Sequence, residues 1–207
     1  MYQEKTMKNL KNNIILIIII CCEIIALPFS IRNRGWTLFA YYTQISNMLT
    51  SISVIALLIA NITNRPAKWI TCLRYGSACM LLLTMVITLA LIAPSGKVSL
   101  GQLLFSPLDN GLYHHLICPI LSIYSYIMCE DHIQHKSVIL IPVCCTLLYG
   151  MVMILLNGLR YFVGPYPFLQ VHDQSVFASI AWVIGILLMT TLLSALIFWA
   201  SLKKIEN

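Results

Sequence analysis

Residues 14–30 read IILIIIICCEIIALPFS, and the class of the whole chain turns on whether this stretch is cleaved off, buried in a soluble core or kept in a bilayer. Seven consecutive Ile or Leu residues and two cysteines run without a charge as far as Glu23. The lead-in MYQEKTMKNLKNN is basic, as in a secretory signal, yet Glu23 interrupts the apolar run and no small-x-small cleavage site comes before LPFSIRNRG. The stretch therefore reads as a retained membrane helix. The remaining chain has the same character: 59% of residues are hydrophobic, 10% are charged, and mean hydropathy is +0.86, far from soluble averages.

Working outward, apolar runs of bilayer length predict spans over 13–30, 42–62, 70–93, 112–129, 138–156 and 176–199. The expected fold is an all-α, polytopic bundle of six transmembrane helices over 13–199, with an N-terminal arm over 1–12 and a tail over 200–207. Lys and Arg placement sets the orientation. Nine lie in the arm, the 63–74 turn, the 130–137 turn and the tail, whereas Arg32, Arg34, Lys97 and Arg160 fall on the other side. By the positive-inside rule both termini are cytoplasmic. The net charge of +6 then belongs to a surface facing anionic lipid and implies no nucleic-acid partner. The eight cysteines sit almost entirely inside apolar runs, as packed thiols rather than a disulfide framework, and no Cys or His spacing suggests a metal site or a cofactor.

Ionisable and amide side chains are costly in hydrocarbon, so their positions carry information. In YYTQISNMLT (41–50), Thr43, Ser46, Asn47 and Thr50 recur at helical spacing to make a polar stripe, with Gln44 at its edge. His114 and His115 open the fourth span in GLYHHLICPI. Asn157 and Arg160 close the fifth, and the loop VGPYPFLQVHDQS carries His172 and Asp173 to the start of the sixth. With Glu23 beyond the middle of the first span, five spans bring such groups toward the outer leaflet, the third being the exception. Adjacent helical residues point about 100° apart, so one of His114 and His115 is expected to face a cavity and the other a neighbouring helix. Pro119 lacks an N–H and leaves the His115 carbonyl without its helical donor. Hydrogen-bond glue between helices is the plainer reading of Gln44, Ser46, Asn47 and Thr50. Arg160 likewise fits a headgroup-level arginine, with a substrate carboxylate as the alternative. Trp36, Tyr41, Tyr42 and Trp69 fit an aromatic belt, and His132 and His135 a solvated turn.

The ordered set YYTQISN, HHLICP and YPFLQV is similar to the androgen-induced integral membrane protein family and its bacterial six-span relatives. Characterised animal members are threonine/histidine hydrolases of fatty-acid esters of hydroxy fatty acids. The resemblance implies a bacterial cell membrane location, membrane lipids and a lipid-like ester as partners, and a threonine nucleophile at Thr43 with its histidine at His115, or at His114 if the correspondence slips by one.

That chemistry is coherent, because a threonine hydroxyl attacks a carbonyl only when a base removes its proton, and neutral imidazole can do so. Gln44, Asn47, Asn157 or Arg160 could donate to the oxyanion, and Glu23 or Asp173 could orient the imidazole. Two further classes fit the same polar residues. A small transporter or lipid-binding protein would use them as a binding site, and a Cys/His lipid acyltransferase would use Cys118, three residues beyond His115. A partner-anchoring role would leave them structural.

Overall fold

The computed structural model describes residues 2–95, 99–105, 111–130, 133 and 135–206; Lys97 and His132 lie outside them. Every regular element among the described residues is helical. Five helical stretches are long and apolar enough to cross a membrane: Asn9–Ala40, Tyr42–Thr63, Lys68–Ile92, Lys136–Gly158 and Val176–Lys203. Membrane and multi-pass follow from length and composition together.

Helix α1 (Tyr2–Arg34) runs on past Pro28 and hands over to a tighter 3-10 segment, Gly35–Ala40. The first span thus extends ten residues beyond the predicted end at 30, since a proline removes one internal donor without halting a helix packed on its neighbours. Gly35 makes the handover with φ +52, a left-handed backbone that costs a glycine nothing. Helix α2 (Tyr42–Thr63) stops where Asn64 takes the left-handed cap, φ 53, with Pro66 two residues on. Helix α3 (Lys68–Ile87) widens into a π-turn at Thr88–Ile92. A short α4 (Leu100–Phe105) follows. The expected fourth span is helical without a break over 111–129, passing through a π-turn at Tyr113–Ile117 into α5 (Cys118–Cys129). Helices α6 (Leu140–Gly158) and α7 (Val176–Glu206) complete the chain.

Helix α3 is the hub. Of its most apolar window 61% is buried, against 17% for α7, and it packs on α2, α5, α6 and α7. The outer faces of α6 and α7 instead expose Leu148, Met151, Leu155, Leu188, Leu192 and Leu196. A soluble protein rarely leaves so continuous an apolar surface open, whereas lipid covers it at no cost. Between helices the contacts are small and polar, as expected where burial from lipid gains little. Ser46 Oγ meets Thr84 Oγ1 at 3.2 Å, Ser53 Oγ meets Ser77 Oγ at 3.0 Å, and a Cβ on Gly76 would stand 3.0 Å from Ile141 Cγ2.

Two expectations change at α3. Arg74, counted with the 63–74 turn, is no loop charge: it is fully buried and its guanidinium holds Glu130, with Nη2–Oε1 at 2.8 Å and Nε at 3.1 Å from both carboxylate oxygens. Nη1 also donates to Ser53 Oγ and Ser122 Oγ, and Nη2 to the Ser122 carbonyl, each at 3.3 Å. Ser125 Oγ lies 2.7 Å from both Glu130 Oε1 and Asn12 Oδ1, so the cluster ties α1, α2, α3 and α5 at one end of the bundle. Nor is the third span the exception at the other end, because it brings Thr84 and Thr88 to the polar face.

Candidate functional site

At the end opposite Arg74 the helices splay around a cavity of about 880 Å³. Its wall takes Ser30 and Arg34 from the end of α1, Thr43 and Gln44 from the start of α2, and Thr88 from the π-turn after α3. His114 and His115 come from the second π-turn, and Gln170, Asp173 and Gln174 from the loop before α7. A smaller pocket of about 50 Å³, lined mostly by apolar groups such as Leu83, Ile87, Tyr149, Leu169 and Ile186, shares Thr43, Thr88 and Tyr166 with the large one. These three hydroxyls stand between a polar chamber and an apolar one.

The loop forms the roof because its ends are strapped to α6. The Asn157 carboxamide accepts from the Val171 N–H at 2.8 Å and donates to the Phe162 carbonyl at 3.3 Å, and the Asn157 carbonyl lies 3.1 Å from His172 Nε2. Gly164 is required where the loop doubles back, since a Cβ there would lie 2.8 Å from Leu169 Cβ. Tyr166 then stacks on Phe168 and turns its phenol inward. Burial raises the Tyr166 phenol above its ordinary pKa, which keeps it a neutral hydroxyl. It lies 3.3 Å from Thr43 Oγ1 and accepts from the Thr43 N–H at 3.5 Å.

Both histidines line the cavity, and His114 at the same time faces neighbouring helices, as expected of one of the pair. The π-turn supplies the reason: at five residues per hydrogen bond it widens the helix, and Cys118 N–H bonds to the Tyr113 carbonyl. In that register the next donor would be Pro119, aimed at the His114 carbonyl rather than at His115. Pro119 has no N–H, and Asn47 Nδ2 takes its place at 3.4 Å from the His114 oxygen.

The two rings have different partners. His115 Nδ1 lies 3.1 Å from Thr88 Oγ1, and the residue lines the cavity. His114 is buried between Gln44, whose Nε2 is 3.3 Å from Nδ1, and Glu23, whose Oε2 is 3.6 Å from Nε2. Glu23 is therefore placed to orient His114, and His115 is held by Thr88. Asp173 is exposed at the cavity rim.

Of the candidate oxyanion donors, only Gln44 lines the cavity. Asn47 spends its amide on the Thr43 and His114 carbonyls, Asn157 straps the loop, and Arg160 is exposed on a turn with φ 60. Ser46 faces α3. Cys118 is buried with Leu16, Ile19 and Cys22 and lines neither pocket. Thr43 and His115 line one cavity without bonding each other. Sequence reasoning missed Thr88, Arg34, Ser30 and Tyr166 as cavity groups. Thr84 and Thr88, four residues apart within TMVITLALI, were the available signal for the first.

Fold and site together define a class: a multi-pass helical membrane protein with a polar chamber at one end of its bundle. No family model, no curated protein and no solved structure matches this chain.

Proposed function

We propose that the protein is an intramembrane hydrolase of lipid esters, with Thr43 as nucleophile and His115 as base, in a six-span bundle whose termini are cytoplasmic and whose chamber opens near the outer leaflet. The observation that carries this reading is the shared wall. A threonine and a histidine line one polar cavity, and that threonine also borders an apolar pocket. An ester lipid needs this pairing, because its acyl part and its carbonyl demand opposite surroundings.

In this mechanism Thr88 Oγ1 accepts the His115 Nδ1–H, which leaves the lone pair on Nε2. Thr43 Oγ attacks the ester carbonyl as Nε2 takes its proton. The tetrahedral oxyanion collapses, the C–O bond to the leaving alkoxide breaks, and His115 returns the proton to that oxygen. Water then attacks the Thr43 ester with His115 again as base, releasing the acid and restoring the hydroxyl. Tyr166, 3.3 Å from Thr43 Oγ1, is positioned to hold the nucleophile and to donate to the oxyanion that forms beside it.

The resemblance in YYTQISN, HHLICP and YPFLQV points to the same two residues and supports the reading independently of the cavity. A binding or transport role is the second reading, favoured by one fact: Thr43 Oγ1 bonds Tyr166 and not His115. Purified protein offered fluorogenic and branched lipid esters separates the two. Hydrolysis that falls about 10²–10⁴-fold in both Thr43→Ala and His115→Ala, with the fold retained, supports the hydrolase. Saturable lipid binding with no turnover in the wild type would falsify it.

A further inference from the structure

Gln44 occupies an unusual position. It is buried, yet one end of its carboxamide meets Ser30 Oγ at 3.0 Å and His114 Nδ1 at 3.3 Å, while the other end has no hydrogen-bond partner among the described residues, and the residue lines the cavity. A carboxamide carries two donors on one end and an acceptor on the other, so whichever end His114 engages, the cavity receives the opposite one. We infer that Gln44 is the recognition group of the chamber, and that the number of protons on the Glu23–His114 pair decides whether it offers a ligand an acceptor or a donor.

Proton counting gives the direction. With one proton on the pair, Glu23 is a carboxylate and His114 is neutral with its hydrogen on Nε2, facing Glu23 Oε2 at 3.6 Å. Nδ1 is then a lone pair, the Gln44 NH2 donates to it, and Gln44 Oε1 points into the chamber. A second proton makes either an imidazolium beside a carboxylate or a neutral carboxylic acid donating to Nε2. Nδ1 carries a hydrogen in both cases and can only donate. Gln44 must then turn its oxygen to Nδ1 and its NH2 to the cavity. Ser30 does not oppose the turn, because a hydroxyl accepts from NH2 in one state and donates to the oxygen in the other.

The pair has room for that second proton: Glu23 Oε1 and His114 Nε2 are both buried without a hydrogen-bond partner. Among the described residues the titratable and charged groups around it are few. Cys22 and Cys118 lie beside Glu23, His115 is next in the chain, and Arg34, Tyr41, Tyr166 and Asp173 face it across the cavity. A ligand hydroxyl is favoured in the one-proton state, and a carbonyl oxygen or oxyanion in the two-proton state. On the hydrolase reading, on which only this last consequence rests, the two-proton state equips the neighbour of Thr43 as an oxyanion donor.

Nitrogen-15 spectra of protein labelled at histidine and glutamine side chains, in lipid nanodiscs without substrate, test the switch. Signals are assigned by their loss in His114→Gln and Gln44→Leu. Titration from mildly alkaline to acid pH should protonate His114 Nδ1 and shift the Gln44 amide with the same midpoint. Glu23→Gln, or Glu23→Leu should the first not fold, removes one member of the pair and should move the shared midpoint away from the wild-type value. A Gln44 amide that stays in one state throughout, moves independently of His114, or keeps the wild-type midpoint in either variant overturns the inference. No turnover is read, so an inactive esterase assay and a failed switch are separate results.

Discussion

The cluster around Arg74 gives the sharpest test of how this bundle is held. Arg74→Met deletes the guanidinium bonds to Glu130, Ser53 and Ser122 and leaves a buried carboxylate with Ser125, at 2.7 Å, as its remaining side-chain partner. Removing one member of a buried ion pair costs about 3–5 kcal/mol, whereas replacing both with apolar side chains of similar volume is often neutral or stabilising. Arg74 is fully buried and Glu130 nearly so, which places the pair in that regime. Arg74→Met should therefore lose about 3–5 kcal/mol of unfolding free energy, and Arg74→Met/Glu130→Met should recover most of it. Denaturant titrations in mixed micelles, read by maleimide labelling of the buried Cys79, measure both. A single variant within about 1 kcal/mol of wild type, the scale of an exposed pair, refutes the reasoning. So does a double variant as unstable as the single.

Three further outcomes follow from particular contacts. On the hydrolase reading, Thr88→Val keeps the shape but removes the oxygen at 3.1 Å from His115, so kcat should fall about fivefold with KM unchanged, matching one hydrogen bond of about 1 kcal/mol; a much larger loss, with the acyl group of the wild type trapped on Thr88, would make Thr88 the nucleophile instead. Pro119→Ala restores an N–H that can reach the His114 carbonyl, so Asn47→Ala should cost about 1 kcal/mol less in that background than alone, as measured by a double-mutant cycle. Gly164→Ala forces a Cβ to 2.8 Å from Leu169 Cβ, should destabilise by about 1–3 kcal/mol and should speed protease cleavage of the roof loop; unchanged cleavage would show that the loop does not depend on this close approach.

Membrane class was legible in the Ile-rich run at 14–30 and in composition, because bilayer thickness imposes one length on every span and hydrocarbon excludes charge. The polar stripe on α2 was legible for the same energetic reason. Apolar helices alone do not state who neighbours whom: lipid and helix surfaces are equally apolar, so hydropathy sees no difference between α3 at the hub and α7 at the rim. That is why Arg74 passed for a loop charge, its partner being Glu130 just past the end of α5. It is also why Thr88 drew no attention, since a lone threonine is inexpensive in lipid.

Sequence by itself fixed what must avoid water and what must avoid lipid, two demands set by each residue's own chemistry. Tertiary structure alone decided the pairings. The π-turn at Tyr113–Ile117 brought both histidines to one cavity, gave His114 to Glu23 and Gln44, and gave His115 to Thr88. Those assignments depend on helix phase and on distances between segments remote in the chain, which local sequence does not encode.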